Sequence, residues 1–124
     1  MSPTDYLWVG LAGSAGAVAR FVVDGAVKDR FAGKLPVGTM LINVTGSLLL
    51  GLLVGLVAFD GASDLWMIVA GTGFFGGYTT FSTTSFETVR LIQDRSYRLA
   101  VLSGGVTLVA GVGAAAVGMA ISQV

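Results

Sequence analysis

The sequence predicts an all-α membrane protein with four transmembrane helices. Of its 124 residues, 54% are hydrophobic and 11% are charged, whereas a soluble domain carries roughly 25% charged residues. The mean hydropathy is +0.84. A helix needs roughly 20 apolar residues to cross a bilayer, and four apolar stretches of about this length are joined by short polar connections. We therefore expect residues 1–124 to form a single membrane domain in contact with the lipid bilayer.

The four predicted spans follow one another without room for a soluble domain. The first covers approximately residues 6–23 and is apolar until Arg20, near its end. The second covers 36–59 and contains no charged residue. The third, 65–86, is rich in glycine and hydroxylated residues, and the fourth covers 99–121.

Small residues recur in every span at spacings typical of closely packed helices. Small side chains let helix backbones approach each other in lipid, where water does not drive helix association. We therefore interpret these positions as packing seams rather than as ion contacts. They are Gly10, Gly13, Gly16, Gly51, Gly55, Gly73, Gly77, Ala114 and Gly118.

The composition excludes several classes of function. The chain contains neither His nor Cys, which removes zinc sites of the usual kind, disulfides, thiol nucleophiles and imidazole acid–base chemistry. Seven basic and seven acidic residues give a net charge of zero, which argues against a nucleic-acid partner. We predict that the protein is not an enzyme.

The distribution of charge predicts the orientation of the chain in the membrane. The side that carries the termini and the second loop holds Asp5, Asp60 and Asp64 and no Lys or Arg. Because cytoplasmic loops carry an excess of Lys and Arg, we predict that both termini lie outside and that the first and third loops are cytoplasmic. These two loops hold all seven basic residues, which are Arg20, Lys28, Arg30, Lys34, Arg90, Arg95 and Arg98.

The third span has an unusual sequence for a membrane helix. Within 70–87, four glycines and a run of Ser and Thr residues lie near the middle of the span, where each weakens or competes with helical hydrogen bonding. Irregular backbone at membrane depth is tolerated where it is buried in protein or lines a wet cavity. We therefore expect a break in this helix, with free carbonyl groups suited to a small hard cation. The alternative is a continuous helix with a glycine-rich packing face.

Polar residues are few in the other spans. Asn43 can be either an interhelical clamp or a hydrogen-bond donor to a pore, and the sequence leaves both interpretations open. Ser103 and Thr107 lie four residues apart and form a hydroxyl track on one side of the fourth span, although hydroxyls in helices commonly bond to their own backbone carbonyls. For Arg20 we favour an extended side chain that reaches the membrane surface.

No span contains a central carboxylate, and the nearest candidate is Glu87 at the end of the third span. Proton-coupled transport generally requires a titratable group inside the membrane. A pathway rich in hydrogen-bond donors and aromatic rings but without a proton relay suits the passive conduction of a small anion.

Three ordered motifs resemble those of the Fluc/CrcB family of fluoride channels. They are GSAGAVAR at 13–20, GTMLINVTG at 38–46 and GFFGGYTTFS at 73–82. The resemblance implies a small channel of the bacterial inner membrane that passively exports cytoplasmic fluoride. It also implies an antiparallel dimer with a structural, non-transported Na⁺ at its centre. The Na⁺ is held by backbone carbonyls that correspond here to Gly76 and Thr79.

The resemblance also identifies candidate residues of the ion pathway. Matching positions are Asn43, Phe81 and Thr107. Fluoride is strongly hydrated, so donors must replace its water, and the Asn43 amide, the Thr107 hydroxyl and the positive edge of the Phe81 ring can do so. We add Thr39, Ser103 and Thr84 as further pathway candidates and Arg20 and Glu87 as candidate vestibule residues.

Two positions depart from the family pattern. The family continues with a second pore phenylalanine where this chain has Thr84, and Gly111 replaces a hydroxylated residue one turn after Thr107. A non-conducting structural subunit therefore remains an alternative. A small four-helix multidrug/proton antiporter is a second alternative, although its carboxylate would have to lie deeper than Asp5.

The one-sided charge distribution also bears on assembly. Insertion of one sequence in both orientations requires nearly balanced Lys and Arg counts on the two faces. This chain should insert in one direction, so an antiparallel dimer requires a homologous second subunit of opposite bias. We therefore favour a heterodimer over a homodimer.

Overall fold

The computed structural model describes residues 2–31, 33–61 and 63–124, and within these ranges all regular structure is helical. Three helices are long and apolar enough to cross a membrane: α1, α2 and α5. The third predicted span is divided between α3 and α4. Because the regular structure of the described residues is helical and three helices could cross a membrane, the protein is an all-α membrane protein, as predicted. The helices are α1 (Pro3–Arg30), α2 (Val37–Phe59), α3 (64–78), α4 (Phe81–Gln93) and α5 (Tyr97–Ser122).

Helix α1 extends beyond both ends of the predicted 6–23 span because its ends are stabilised locally. At the start, the Asp5 amide donates to the Ser2 hydroxyl at 3.3 Å, and the Ser2 amide donates to the Asp5 carboxylate at 3.0 Å. This capping box satisfies two amides that lack helical partners. Near the other end, Lys28 Nζ lies 2.9 Å from Asp24 Oδ2, one turn earlier.

The third predicted span is broken at Thr79 and Thr80, so the continuous-helix alternative is wrong. Both residues have extended backbone conformations, with ψ of 160° and 122°. Before the break, Met67–Phe75 forms π-helical turns, in which each amide bonds five residues back rather than four. The glycine-rich sequence tolerates this widened backbone because glycine has no Cβ atom to restrict the backbone conformation.

The helices pack in two close pairs, α1 with α3 and α2 with α5, and α2 also contacts α1 and α3. A Cβ atom on Gly16 would overlap the α3 backbone, and one on Gly77 would overlap the α1 backbone. Gly51 and Gly118 meet the facing backbone in the same way across the α2–α5 contact. These positions are packing seams, as predicted. Gly10 is different, because a Cβ there would meet no atom within 4 Å.

The turn between α4 and α5 places a charged residue in a left-handed conformation. Arg95 has φ of 59°. Its amide donates to the Ile92 carbonyl at 3.0 Å, and the Ser96 amide donates to the Leu91 carbonyl at 2.8 Å. This pattern of bonds is typical of helix ends that carry glycine at the left-handed position.

Much of the apolar surface of the subunit is exposed. Phe21 on α1, Phe81 on α4 and Val109 on α5 are each largely accessible. Exposed apolar area of this extent is incompatible with a monomer in water. It fits a subunit that faces acyl chains and other protein.

Candidate functional site

Asn43 on α2 joins that helix to the break. Its Nδ2 group donates to the Thr80 carbonyl at 2.9 Å and to the Thr84 hydroxyl at 2.7 Å. Its Oδ1 atom accepts a bond from the Thr80 amide at 2.8 Å. One side chain thus satisfies both backbone groups of a residue that has left the helical ladder, which explains how a buried break is tolerated.

These bonds bear on the two interpretations that the sequence left open for Asn43. A neutral amide carries two N–H donors, and both are occupied by Thr80 and Thr84. In this subunit Asn43 is therefore an interhelical clamp. It can donate to an anion after one of its present acceptors is released, and the Thr84 hydroxyl is the acceptor that can rotate away.

The backbone on either side of the break is fixed by threonine side chains. The Thr79 hydroxyl donates to the Phe75 carbonyl at 2.8 Å, alongside the Thr79 amide at 2.9 Å. The Thr80 hydroxyl accepts a bond from the Thr83 amide at 3.0 Å and caps the start of α4. Threonine is favoured at such caps because its oxygen replaces the missing helical acceptor. The hydroxylated run in the sequence therefore both ends α3 and begins α4.

The backbone carbonyls at the break have the chemistry that a small hard cation requires. Across the ranges that the structure describes, the carbonyl oxygens of Gly76 and Thr79 accept no hydrogen bond. Gly76 is exposed, and a Cβ there would meet nothing nearer than the Gly71 carbonyl at 3.9 Å. The described residues contain no cluster of acidic side chains that could hold a metal. Neutral main-chain oxygens are among the ligands that hard cations take in proteins.

A cleft of about 720 Å³ lies beside the break, between α2, α4 and α5, and most of its exposed wall is apolar. We call this space the polar cleft after the amide and hydroxyl groups that enter it. None of its described lining residues is charged, and its walls carry one amide and seven hydroxyl groups. Phe81 stands at its edge with 87% of its surface exposed. The polar lining consists of Asn43, Ser47, Thr79, Thr80, Thr84, Ser85, Thr88 and Thr107.

The hydroxyls of Ser103 and Thr107 are buried without hydrogen-bond partners among the described residues. The expectation that they bond back to their own helix is wrong. Leu102–Val106 is π-helical, so the Ser103 carbonyl, which would lie one α-turn before Thr107, is displaced. Thr107, 8% exposed, lines the polar cleft, whereas Ser103, 1% exposed, lies outside its lining.

Two serines of the polar cleft were not among the predicted pathway residues. The Ser47 hydroxyl lies 3.6 Å from the position that a Cβ on Gly111 would take. The hydroxyl missing from α5 at Gly111 is thus matched by one that α2 supplies to the same place. Ser85 lies one residue beyond Thr84. Ser47 lies one helical turn after Asn43, and this spacing was the signal that could have identified it.

The candidate vestibule residues lie around Thr39, one helical turn before Asn43 on α2. The Thr39 hydroxyl donates to Glu87 Oε1 at 2.6 Å, so α2 and α4 are joined there. A cavity of about 260 Å³ is lined by Arg20, Asp24 and Thr39 among others. Arg20 is therefore half-buried against this cavity, and Thr39 faces it rather than the polar cleft. Glu87 joins the cluster through its bond to Thr39.

The chain is similar to one protein family and to several named bacterial proteins. The family described as "CrcB-like protein, Camphor Resistance (CrcB)" matches residues 7–119. A fluoride-specific ion channel FluC 1 of Leifsonia xyli subsp. xyli is 49% identical over 119 residues, or 96% of this chain and 87% of the relative. A FluC 2 channel of Mycolicibacterium paratuberculosis is 44% identical over 122 residues, 97% of both chains. A FluC 2 channel of Cutibacterium acnes is 47% identical over 118 residues, 94% of this chain and 96% of the relative.

These names describe ion channels of bacteria and not enzymes, as the sequence predicts. The relatives are well above the level of identity at which fold is shared, and each covers most of the chain. The family match spans all five helices, including the break and the polar cleft beside it. The chain therefore belongs to the CrcB family.

Proposed function

We propose that this protein is a subunit of a fluoride-specific channel of the bacterial membrane and that it lets cytoplasmic fluoride leave passively. The observation that carries this proposal is the polar cleft, where one amide and several hydroxyl groups are set in a largely apolar, uncharged wall beside a broken helix. The relatives named as fluoride-specific channels support the same ion.

The lining of the polar cleft suits a small, strongly hydrated anion. Removing water from fluoride is costly unless other donors take its place. The Thr107 hydroxyl has no partner among the described residues, and those of Ser47 and Ser85 make no hydrogen bond there. These groups are free to donate to an anion. The exposed edge of the Phe81 ring adds weak contacts that bind without trapping, as conduction requires.

The same lining disfavours the antiporter alternative. Proton coupling requires a group that titrates along the pathway, and the described residues of the polar cleft include no acidic or basic side chain. Glu87 is bonded to Thr39 outside this cleft. The gradient of fluoride itself is therefore the driving force, and flux follows that gradient out of the cell.

We further propose that a structural Na⁺ binds at the break. The carbonyl groups of Gly76 and Thr79 would hold it, because they accept no hydrogen bond from the described part of the chain. Held there, the ion would supply positive charge that stabilises the extended backbone between α3 and α4. A single positive charge among neutral carbonyls needs no carboxylate to balance it.

The channel is proposed to be an antiparallel dimer with a second, homologous subunit. The polar cleft is open on one side, and Phe81 projects from its edge, so the pathway needs another protein surface to complete it. The expectation that all basic residues lie on two loops is wrong, because Arg20, Lys28 and Arg30 lie within α1 and others within α4 and α5. Most of them still lie at the helix ends beside the first and third connections, so this chain inserts with both termini outside. The partner is therefore a different sequence with opposite charge bias, and a heterodimer is favoured over a homodimer.

Release of fluoride from loaded liposomes tests these proposals. The chain is reconstituted alone, and together with a homologous subunit whose Lys and Arg lie on the opposite loops. We expect fluoride-selective release from the pair and little from the chain alone. Absence of release from the pair would overturn the proposed channel activity and would favour the alternative of a non-conducting structural subunit. Rapid release from the chain alone would overturn the heterodimer.

The proposed Na⁺ site has a separate test. We expect thermal stability of the dimer to fall when Na⁺ is replaced by choline, and a heavier monovalent cation to give scattering density beside Gly76 and Thr79. A dimer that is equally stable in choline, with no density at the break, would show that no ion is held there.

A further inference from the structure

A third cavity, of about 410 Å³, lies at the amino end of α2 and is separate from the polar cleft. It is formed where α1 ends, where the first connection leads into α2, and where α5 begins. Arg30 and Lys34 supply its charged walls, and Phe31, Leu35 and Leu99 supply apolar walls. We call this space the basic pocket.

The basic pocket carries uncompensated positive charge. Lys28, two residues before Arg30, is paired with Asp24. Arg30 and Lys34, in contrast, make no ion pair within the residues that the structure describes. No Asp or Glu lines the pocket among these residues. Two full positive charges are therefore available to an anion.

The start of α2 adds little to this positive field. Val37 is the first residue of a 23-residue helix and lines the basic pocket, but the Asp24 carboxylate lies against Gly38 in the same first turn. The partial positive charge at the amino end of a helix is therefore offset there by Asp24. Arg30 and Lys34 supply the charge that favours an anionic ligand.

The apolar walls indicate what kind of anion fits. Phe31 is exposed beside Arg30, and Leu99 stands in the first turn of α5. A free inorganic ion would gain nothing from these surfaces. A phospholipid gains from both, because its phosphate meets the basic side chains while its upper acyl chain covers the apolar walls.

We propose that the basic pocket binds the headgroup of an anionic phospholipid, with the lipid phosphate between Arg30 and Lys34. The pocket lies on a loop that the charge distribution places at the cytoplasmic surface, where anionic lipids attract clusters of Lys and Arg. Binding there would hold the first connection against the membrane and fix the junction of α1 with α2.

Native mass spectrometry of the full chain in detergent tests this proposal. The protein is titrated with dioleoylphosphatidylglycerol and, separately, with dioleoylphosphatidylcholine. The double variant Arg30→Gln/Lys34→Gln is compared with Arg95→Gln/Arg98→Gln, which removes the same charge from the third loop. We expect phosphatidylglycerol binding to fall roughly tenfold or more in the first variant, since each basic residue near the surface contributes severalfold. The second variant should bind like the unaltered chain.

Three results would overturn the proposal. Equal losses in both double variants would show general attraction by charge, without a site. Equal binding of phosphatidylcholine and phosphatidylglycerol would show that the headgroup charge is not recognised. Loss of bound phosphatidylglycerol on adding millimolar inorganic phosphate would assign the pocket to a free anion instead of a lipid. All three measurements use protein in detergent, so their outcome is independent of fluoride conduction and of orientation in the membrane.

Discussion

Replacing Asn43 with alanine tests the clamp and the ion pathway in one variant. The change removes three hydrogen bonds between α2 and the segment after α3, with donor–acceptor distances of 2.7–2.9 Å. Hydrogen bonds between membrane helices contribute about 0.6 kcal/mol on average, and typical intramolecular bonds contribute about 1 kcal/mol. The free energy of unfolding should therefore fall by about 2–3 kcal/mol. This is at least a twentyfold shift in the unfolding equilibrium, by roughly tenfold per 1.4 kcal/mol.

Unfolding by sodium dodecyl sulfate in mixed micelles measures this loss. The combined fluorescence of Trp8 on α1 and Trp66 on α3, which line one cavity, reports the separation of these two helices. Ser14→Ala is the matched control, because its hydroxyl donates to the carbonyl of Gly10 on the same helix at 3.0 Å and joins no two helices. We expect this control to unfold within about 0.5 kcal/mol of the unaltered chain.

Fluoride release by the dimer containing Asn43→Ala is the second readout. Asn43 serves the pathway on this chain's side after the Thr84 hydroxyl rotates away, and losing that donor raises the barrier there by about 1–3 kcal/mol. Release through this pathway should therefore slow at least severalfold, and total release by the intact dimer should fall. An unfolding curve equal to that of the Ser14→Ala control would refute the clamp. Lower stability with unchanged release would refute the place of Asn43 in the pathway.

Three further changes have defined outcomes. Gly77→Ala forces a Cβ into the α1 backbone and should lower the free energy of unfolding by about 1–3 kcal/mol, whereas Gly105→Ala, in open space, should change it by less than about 0.5 kcal/mol. Thr84→Val removes one acceptor of Asn43 and frees its N–H, so fluoride release by the dimer should rise about fivefold, the equivalent of one hydrogen bond of about 1 kcal/mol; slower release would contradict this. Arg95→Gly relieves a left-handed conformation and should raise the free energy of unfolding by about 0.5–1 kcal/mol, measured in the same micelles.

The helices and the break were predictable because their signals are local. Apolar length identifies a membrane span without knowledge of its neighbours, and the glycine and threonine residues of 70–87 weaken helical backbone wherever they occur. The seams at Gly16 and Gly51 follow from spacing along one helix. The exact position of the break was less accessible, because it depends on Asn43 from another helix accepting and donating bonds at Thr80.

The hydroxyl groups of α5 could not be assigned from sequence for a different reason. Whether Thr107 bonds to its own helix depends on the carbonyl positions of the preceding turn. Leu102–Val106 is π-helical, and no conformational preference of these residues predicts a π-helix. Likewise, the proximity of Ser47 to Gly111 is a tertiary relation between α2 and α5, invisible in either helix alone.

Thr84 and the charge distribution both favour a heterodimer, but one acts on the ion pathway of the folded protein and the other on membrane insertion. The Lys and Arg residues act during insertion, when they decide which loops stay in the cytoplasm. Thr84 acts in the folded subunit, where its hydroxyl occupies an N–H of Asn43. A phenylalanine at this position, which the family resemblance implies, would accept no such bond and would leave that N–H for an anion. A dimer of two identical chains would therefore have both Asn43 side chains fully bonded, even if both orientations were inserted. A partner with phenylalanine at the matching position escapes this constraint on its own side, so the unlike pair retains one pathway in which the amide is free to donate.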